Sequence, residues 1–329
     1  MTLTAVARIT RWTLFFIIIF SILSLGGFAA YRIWYNNYLT SLPLVEEKPD
    51  TKFGILPYPD FKKSDVSSSN FSYSLDTVTG GLPAFEKIIK VYFIPKSYVS
   101  FLAPEKAESL ARQFELDTQP EILSETKYIF KKNDKSLTLD TDSGNFIFER
   151  EATAAARAPA DDEQKLIQDF KNLLEKQQLL SEELKKGPHK IKYLEDQTMD
   201  ISLWQENIED KPIANPTFIH SLVRAKVLGS ALDIKNYLSL NYTWWKVDKN
   251  TFATYPIKTA QQAYEDLKSG KASIVINPSQ PQVSITSVYL GYYLSENYTP
   301  YLMPIFIFEG PSFVAYVPAI SGQFIEQAR

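Results

Sequence analysis

The sequence predicts an α+β protein: one N-terminal transmembrane helix followed by two extracytoplasmic α+β domains with mainly antiparallel sheets. Three observations carry this. Between Arg11 and Arg32 lie twenty residues without a charge, and at about 1.5 Å per helical residue they reach roughly 30 Å, the thickness of a bilayer's hydrocarbon core. Beyond them, apolar residues recur at helical spacing in a few short stretches. Between those stretches stand runs rich in β-branched and aromatic residues, the composition of strands, in an order of strand, helix and strand meander that suits an α+β layer.

The apolar run, residues 12–31, is flanked by Trp12 at one end and by Tyr31, Trp34, Tyr35 and Tyr38 at the other, where amphipathic rings settle at the headgroup level. Arg8 and Arg11 precede it, which favours a cytoplasmic N-terminus. The expected layout is residues 1–11 in the cytoplasm, a single pass over 12–35 in the cell membrane, and the bulk of the chain outside. Gly27 and Ala29 also suit the −3 and −1 positions of a signal-peptidase site. The uncharged stretch is longer than a usual signal core and the aromatic belt continues past that cut, so an uncleaved anchor is the preferred expectation. Gly26 and Ala30 form a small-x-x-x-small pair through which a second helix could approach closely.

Residues 36–70 read as a tether, because Pro43, Pro49, Pro57 and Pro59 interrupt them and no apolar period persists. The first domain, 71–150, opens with a strand at 88–94 that Pro95 stops. A helix follows Pro104, with Ala107, Leu110, Ala111 and Phe114 on one face. Strands at 126–130, 136–139 and 145–148 complete it. An Ala-rich linker at 151–160 marks the boundary. In the second domain, 161–329, Asp161 and Gln164 have capping-box spacing before a helix with Leu166, Phe170 and Leu174 on its buried stripe. A short helical turn then runs from Ser181 to Gly187 and Pro188.

The rest is mostly strand. Apolar and basic residues alternate over 223–227, the pattern of a strand with one wet face. Ile234, Leu238, Leu240, Tyr242 and Trp244 are expected on one face of a strand that pairs with 251–255. Thr259 and Gln262 set a capping box for a helix ending at Gly270. Strands over 272–276, 283–293, 301–308 and 313–317 finish the chain, and Pro304 points to an edge or a bulge.

Composition bounds the chemistry. With 45% hydrophobic and 22% charged residues the chain can bury a core, and a net charge of −3 without a clustered basic excess argues against nucleic acid. The absence of cysteine excludes disulfides, thiol catalysis and cysteine metal sites. No GxSxG, HExxH, GxxxxGK or GxGxxG signature occurs. His189 and His220 stand 31 residues apart without an evident partner, and Glu195 and Asp196, like Glu182 and Glu183, are adjacent in sequence, so neither pair reads as a facing acid and base. The acidic stretch from Asp140 lacks the glycine a calcium loop needs at its sharp turn and reads as a β-turn. Three glycosylation sequons, at Asn70, Asn241 and Asn297, read as chance. No catalytic, cofactor or metal site is expected. Trp245, Tyr289, Tyr292 and Tyr293 are instead candidate contact residues, since aromatic side chains dominate interface hot spots; Trp244 is expected in the core and Trp245 on the opposite, exposed face.

Several C-terminal stretches, WKVD at 245–248, AYEDL at 263–267, VYLGY at 288–292, LMPIF at 302–306 and FVAY at 313–316, resemble the YycI family of single-span regulators. The resemblance covers about residues 240–320 and implies an extracytoplasmic α+β region that restrains a membrane sensor histidine kinase together with a YycH-like partner. The helix-and-strand order of the first domain resembles PepSY-type modules, which implies inhibition of an envelope protease or a role as a secretion accessory. The expectation is therefore a regulatory adaptor that acts by protein contacts and not as an enzyme; the alternative is an envelope hydrolase with an unrecognised carboxylate site.

Overall fold

In the computed structural model the chain divides into two units, Met1–Lys48 and Pro49–Arg329. The structure describes residues 12, 17, 20, 23–28, 30–32, 34–35, 48–96, 103–151, 162–194 and 198–327. In the first unit the described residues up to Tyr35 are helical and exposed, and Tyr31 stacks on Tyr35 with ring centroids 5.9 Å apart. The transmembrane helix expected here is corrected: no helix among the described residues is long and apolar enough to cross a membrane. A span needs about 20 consecutive apolar residues in a helix. The expected cytoplasmic residues 1–11 lie outside the described residues, as do 36–47 of the tether, 152–160 of the linker, the cap residue Asp161, and Glu195 with Asp196.

In chain order, the second unit starts with β1 (Ser72–Leu75), β2 (Ile88–Phe93), α1 (Ala103–Gln113), β3 (Glu121–Ile122), β4 (Lys127–Lys132), β5 (Lys135–Asp140) and β6 (Phe146–Arg150). Then come α2 (Glu163–Lys176), α3 (Glu182–Lys186), β7 (His189–Tyr193), β8 (Thr198–Leu203), β9 (Ile213–Ala214), β10 (Val223–Leu228) and β11 (Tyr237–Tyr242). The last part holds β12 (Asp248–Pro256), α4 (Ala260–Lys268), β13 (Ser273–Ile276), β14 (Gln282–Ile285), β15 (Ser287–Tyr293), β16 (Tyr301–Gly310) and β17 (Phe313–Pro318).

An eight-stranded antiparallel sheet runs β3-β4-β5-β6-β11-β10-β8-β7. Pairing of β6 with β11, Phe148 opposite Leu240, joins strands from either side of the expected 151–160 boundary. One face of this sheet is a core: Ala107, Ala111 and Phe114 of the first helical stretch and Leu166, Phe170 and Leu174 of α2 pack on Phe130, Phe148 and Ile201. Their helical spacing is the reason α1 and α2 form and dock, each buried leucine or phenylalanine contributing about 1.5–3 kcal/mol. Asp162, not Asp161, is the N-cap of α2, and it makes no side-chain capping bond. The strand alternation predicted for β10 holds, with Val223, Ala225 and Val227 buried and Arg224 and Lys226 half-exposed. A register shift between Lys226 and Val227 brings Tyr237 opposite Val227, so Tyr237, and not Leu238, joins Leu240 and Tyr242 in the core.

The second sheet runs β12-β2-β16-β15-β9, with β17 on β16 and β13 on β17. Here β12 pairs with β2, not with β11, because residues 243–247 carry the chain from one sheet to the other. The capping box of α4 forms as predicted, Thr259 Oγ1 accepting from Gln262 N at 3.2 Å and Gln262 Oε1 from Thr259 N at 2.9 Å. Its stripe of Ala260, Ala263 and Leu267 packs in the same core as Phe306, Phe308 and Phe313. Pro304 is internal to the sheet, which corrects the expected edge or bulge. On one side it faces Tyr292 of β15, and on the other the neighbour changes from β2 at Leu302 to β17 at Ile305. The Pro304 carbonyl accepts from Ala319 N at 3.1 Å, so its nitrogen points to that changeover, where no ladder partner needs a donor.

Candidate binding cleft

Residues 57–67, the second half of the stretch read as a tether, lie against the core. Pro59 and Ser68 are buried, Ser68 Oγ donates to Leu267 O at 2.7 Å, and Leu56 forms a parallel bridge with Ile325. Phe61 is the main anchor: its ring meets Tyr293 edge-on at 4.8 Å and lies 5.9 Å from Tyr58 and 6.1 Å from Tyr316. Asp60 is held by three donors, Tyr293 Oη on its carbonyl at 2.8 Å and Ser295 Oγ and Asn297 Nδ2 on its carboxylate, both at 2.9 Å. This strap has no helical or strand period because its apolar residues are fitted one at a time into gaps of the second sheet.

Between the strap and β13 lies a cleft of about 320 Å³. Phe61, Tyr293 and Tyr316 form its apolar end, Lys62 and Lys63 one wall, and Thr217 and His220 the other. Ser273, Ile274 and Val275 of β13 and Asn277 just beyond it also line the cleft. Ser273 Oγ donates to Lys62 O at 3.0 Å and fixes the strap at one end. Burial raises the hydroxyl pKa of Tyr293 and Tyr316 well above the ordinary phenol value, with the Asp60 carboxylate adding to the effect at Tyr293 and Tyr289 at Tyr316. Both therefore stay neutral donors: Tyr316 Oη donates to Asn215 O at 3.1 Å.

His220 has the partner that the sequence does not reveal: its Nδ1 is 3.4 Å from Asp200 Oδ2, while Ser202 Oγ lies 3.5 Å from the other oxygen of the same carboxylate. The serine and the histidine thus both address Asp200. A hydrolytic triad instead needs the histidine between serine and carboxylate, so the group positions His220 on the cleft wall. His189 is exposed on β7.

On the far side of the strap a wider, open cleft of about 1670 Å³ borders α4. Lys62 and Lys63 border this cleft too, and among its other charged residues Asp266 is bonded by Lys258 at 2.9 Å and Lys271 at 3.1 Å. Burial opposes ionisation of Asp266, yet hydrogen bonds from the two lysines hold its pKa below the ordinary aspartate value. Lys62 and Lys63 are exposed, and neither has an ion pair among the described residues. Among those residues, too, no cluster of three or more His, Asp or Glu side chains is placed to hold a metal.

The predicted contact residues are scattered. Trp245 is half-buried, its indole N–H donating to Ser295 O at 3.0 Å and its ring meeting Tyr298 at 5.6 Å. Trp244 packs on the first core and Trp245 on the second, so alternation does turn them to opposite sides, but a core lies on each side. Tyr292 is buried and donates to Lys90 O at 3.1 Å; Tyr289 is half-buried and donates to Glu309 Oε2 at 3.0 Å. Of these only Tyr293 reaches the cleft. Gly26 and Ala30 belong to the first unit, both exposed. The acidic stretch at Asp140 is the β5–β6 turn, where Asp140 Oδ1 accepts from Asp142 N at 2.9 Å and Ser143 N at 3.2 Å. Sequence reasoning missed Lys62, Lys63 and the β13 edge; the available signal was a phenylalanine and two lysines directly after Pro57 and Pro59.

No family model matches the chain and no curated protein matches it. Among solved structures it is similar to an uncharacterized protein from Eubacterium rectale, at 13% identity with a TM-score of 0.42, over 78% of this chain and 91% of that one.

Proposed function

We propose that the protein is a regulatory adaptor acting by protein–protein contact, with the cleft between the strap and β13 as its contact site. The observation that carries this reading is the combination of a strand edge that, among the described residues, is bonded on one side only, with two exposed lysines lining the cleft beside it. A strand edge offers main-chain donors and acceptors that suit another chain better than a small molecule. The resemblance over residues 240–320 supports the regulatory role and makes an extracytoplasmic sensor kinase or a YycH-like protein the first partner to test. The experiment is photo-crosslinking of the full chain in its native cells from Asn277, in the cleft, and from Ile147, on the wet face of the eight-stranded sheet. A discrete crosslinked partner from Asn277 supports the reading; no discrete partner from either position removes it.

A further inference from the structure

Resting on that contact reading, we infer that the free edge of β13 is a strand-addition groove for an extended segment in which acidic and apolar residues alternate. Among the described residues the outer edge of β13 is unused: the strand pairs with β17 alone, and no other backbone hydrogen bond reaches 273–276. The strap runs beside this edge; the hydrogen bond between them is a side-chain one, Ser273 Oγ to Lys62 O, and Phe61 shares an apolar cluster with Val275 and Ile276, so the main-chain donors and acceptors of the edge stay unpaired among the described residues. Four residues of β13 offer about 13 Å of edge at roughly 3.3 Å per residue.

The walls specify the occupant. Side chains of an added strand point alternately to the two faces of the sheet. One face of this sheet presents the cluster of Tyr293 and Tyr316 with Phe61 and Val275 against it, which suits apolar side chains. Lys62 and Lys63, both exposed, line the same cleft and suit carboxylates; Asp65 is the acidic residue among the cleft's lining, and the nearby Asp200 is engaged by His220. The register shift between Ile274 and Ile276 twists the edge, which disfavours long edge-to-edge pairing between copies while leaving room for a short segment.

The test is fluorescence anisotropy on the full chain, with labelled peptides in which Glu alternates with Val, Leu, Phe or Tyr. Three comparisons accompany it: the same peptides with Lys in place of Glu, the same peptides N-methylated on alternate amides, and competition by inorganic phosphate. The protein variant is the surface double change Lys62→Glu with Lys63→Glu, its fold checked by circular dichroism. The expected result is binding of the acidic peptides, weakened about tenfold or more by N-methylation and by the double change, which also shifts preference toward the Lys peptides. Binding that ignores N-methylation overturns strand addition, and it needs no protein variant to show. Binding unaltered by the double change places the peptide elsewhere, and complete displacement by phosphate reduces the lysines to an anion site. If no peptide binds while crosslinking from Asn277 still captures a discrete partner, the groove is refuted and the contact reading stands; if crosslinking from Asn277 fails as well, both fall.

Discussion

Replacing Phe61 with alanine tests whether the strap is part of the folded core. The ring is half-buried and lies within aromatic contact of Tyr58, Tyr293 and Tyr316, at 5.9, 4.8 and 6.1 Å. Truncating a fully buried phenylalanine costs about 3–5 kcal/mol, and an aromatic pair adds about 0.5–1.5 kcal/mol beyond area. A half-buried ring with one close partner should therefore cost about 2 kcal/mol. For a unit of this size that lowers the melting temperature by about 4–8 °C, and it raises the population of an opened strap by roughly 30-fold. Opening exposes the bonds after Lys62 and Lys63 to trypsin, so the assay is limited proteolysis beside thermal melting, with Lys63→Arg as an exposed control expected within about 0.5 kcal/mol. If Phe61→Ala is cut no faster than Lys63→Arg and melts at the same temperature, the strap does not rest on Phe61 and the wall of the cleft is not fixed as described.

Further outcomes can be measured on single variants. Gly310→Ala places a Cβ 2.0 Å from the Ser284 carbonyl oxygen, a backbone atom that cannot step aside, and should cost about 2–3 kcal/mol in denaturant unfolding. Thr259→Ala removes the cap of α4 and should cost about 1 kcal/mol; an unchanged transition midpoint would show that the cap is silent. For Asp266 the folded pKa lies below its ordinary value of 3.8, so its ion pairs stabilise fully above that value and are lost as pH falls through the folded pKa. Asp266→Asn should therefore destabilise at neutral pH by about 1–2 kcal/mol, with the difference from the parent shrinking on acidification below about pH 4; a difference independent of pH refutes the assignment.

Local features were legible where a single element carries its own signal. The stripes of α1, α2 and α4, the capping box at Thr259 and Gln262, the stop at Gly270 and the alternation of β10 all depend on neighbours within a few residues, and each is found in the folded unit. Partners were not legible. A strand pattern names a buried face but not the strand opposite, so β11 and β12 were expected together and are found in different sheets. The low periodicity of 57–67 read as a tether because its anchors, Phe61 and Asp60, contact Tyr293 and Tyr316, more than 200 positions away.

The sequence by itself determined the α+β class, the positions of most helices and strands, and the absence of cysteine chemistry, since composition and period are properties of the chain alone. It also supplied an apolar N-terminal run whose expected membrane span is not found among the described helices. Only the tertiary structure decided that Trp245 is half-buried and Tyr292 buried, that His220 meets Asp200, and that β13, among the described residues, pairs with β17 alone beside a cleft lined by Lys62 and Lys63. Those facts arise from contacts between residues far apart in sequence, which local pattern cannot encode: a strand's outer edge is free or paired according to what the rest of the chain places beside it.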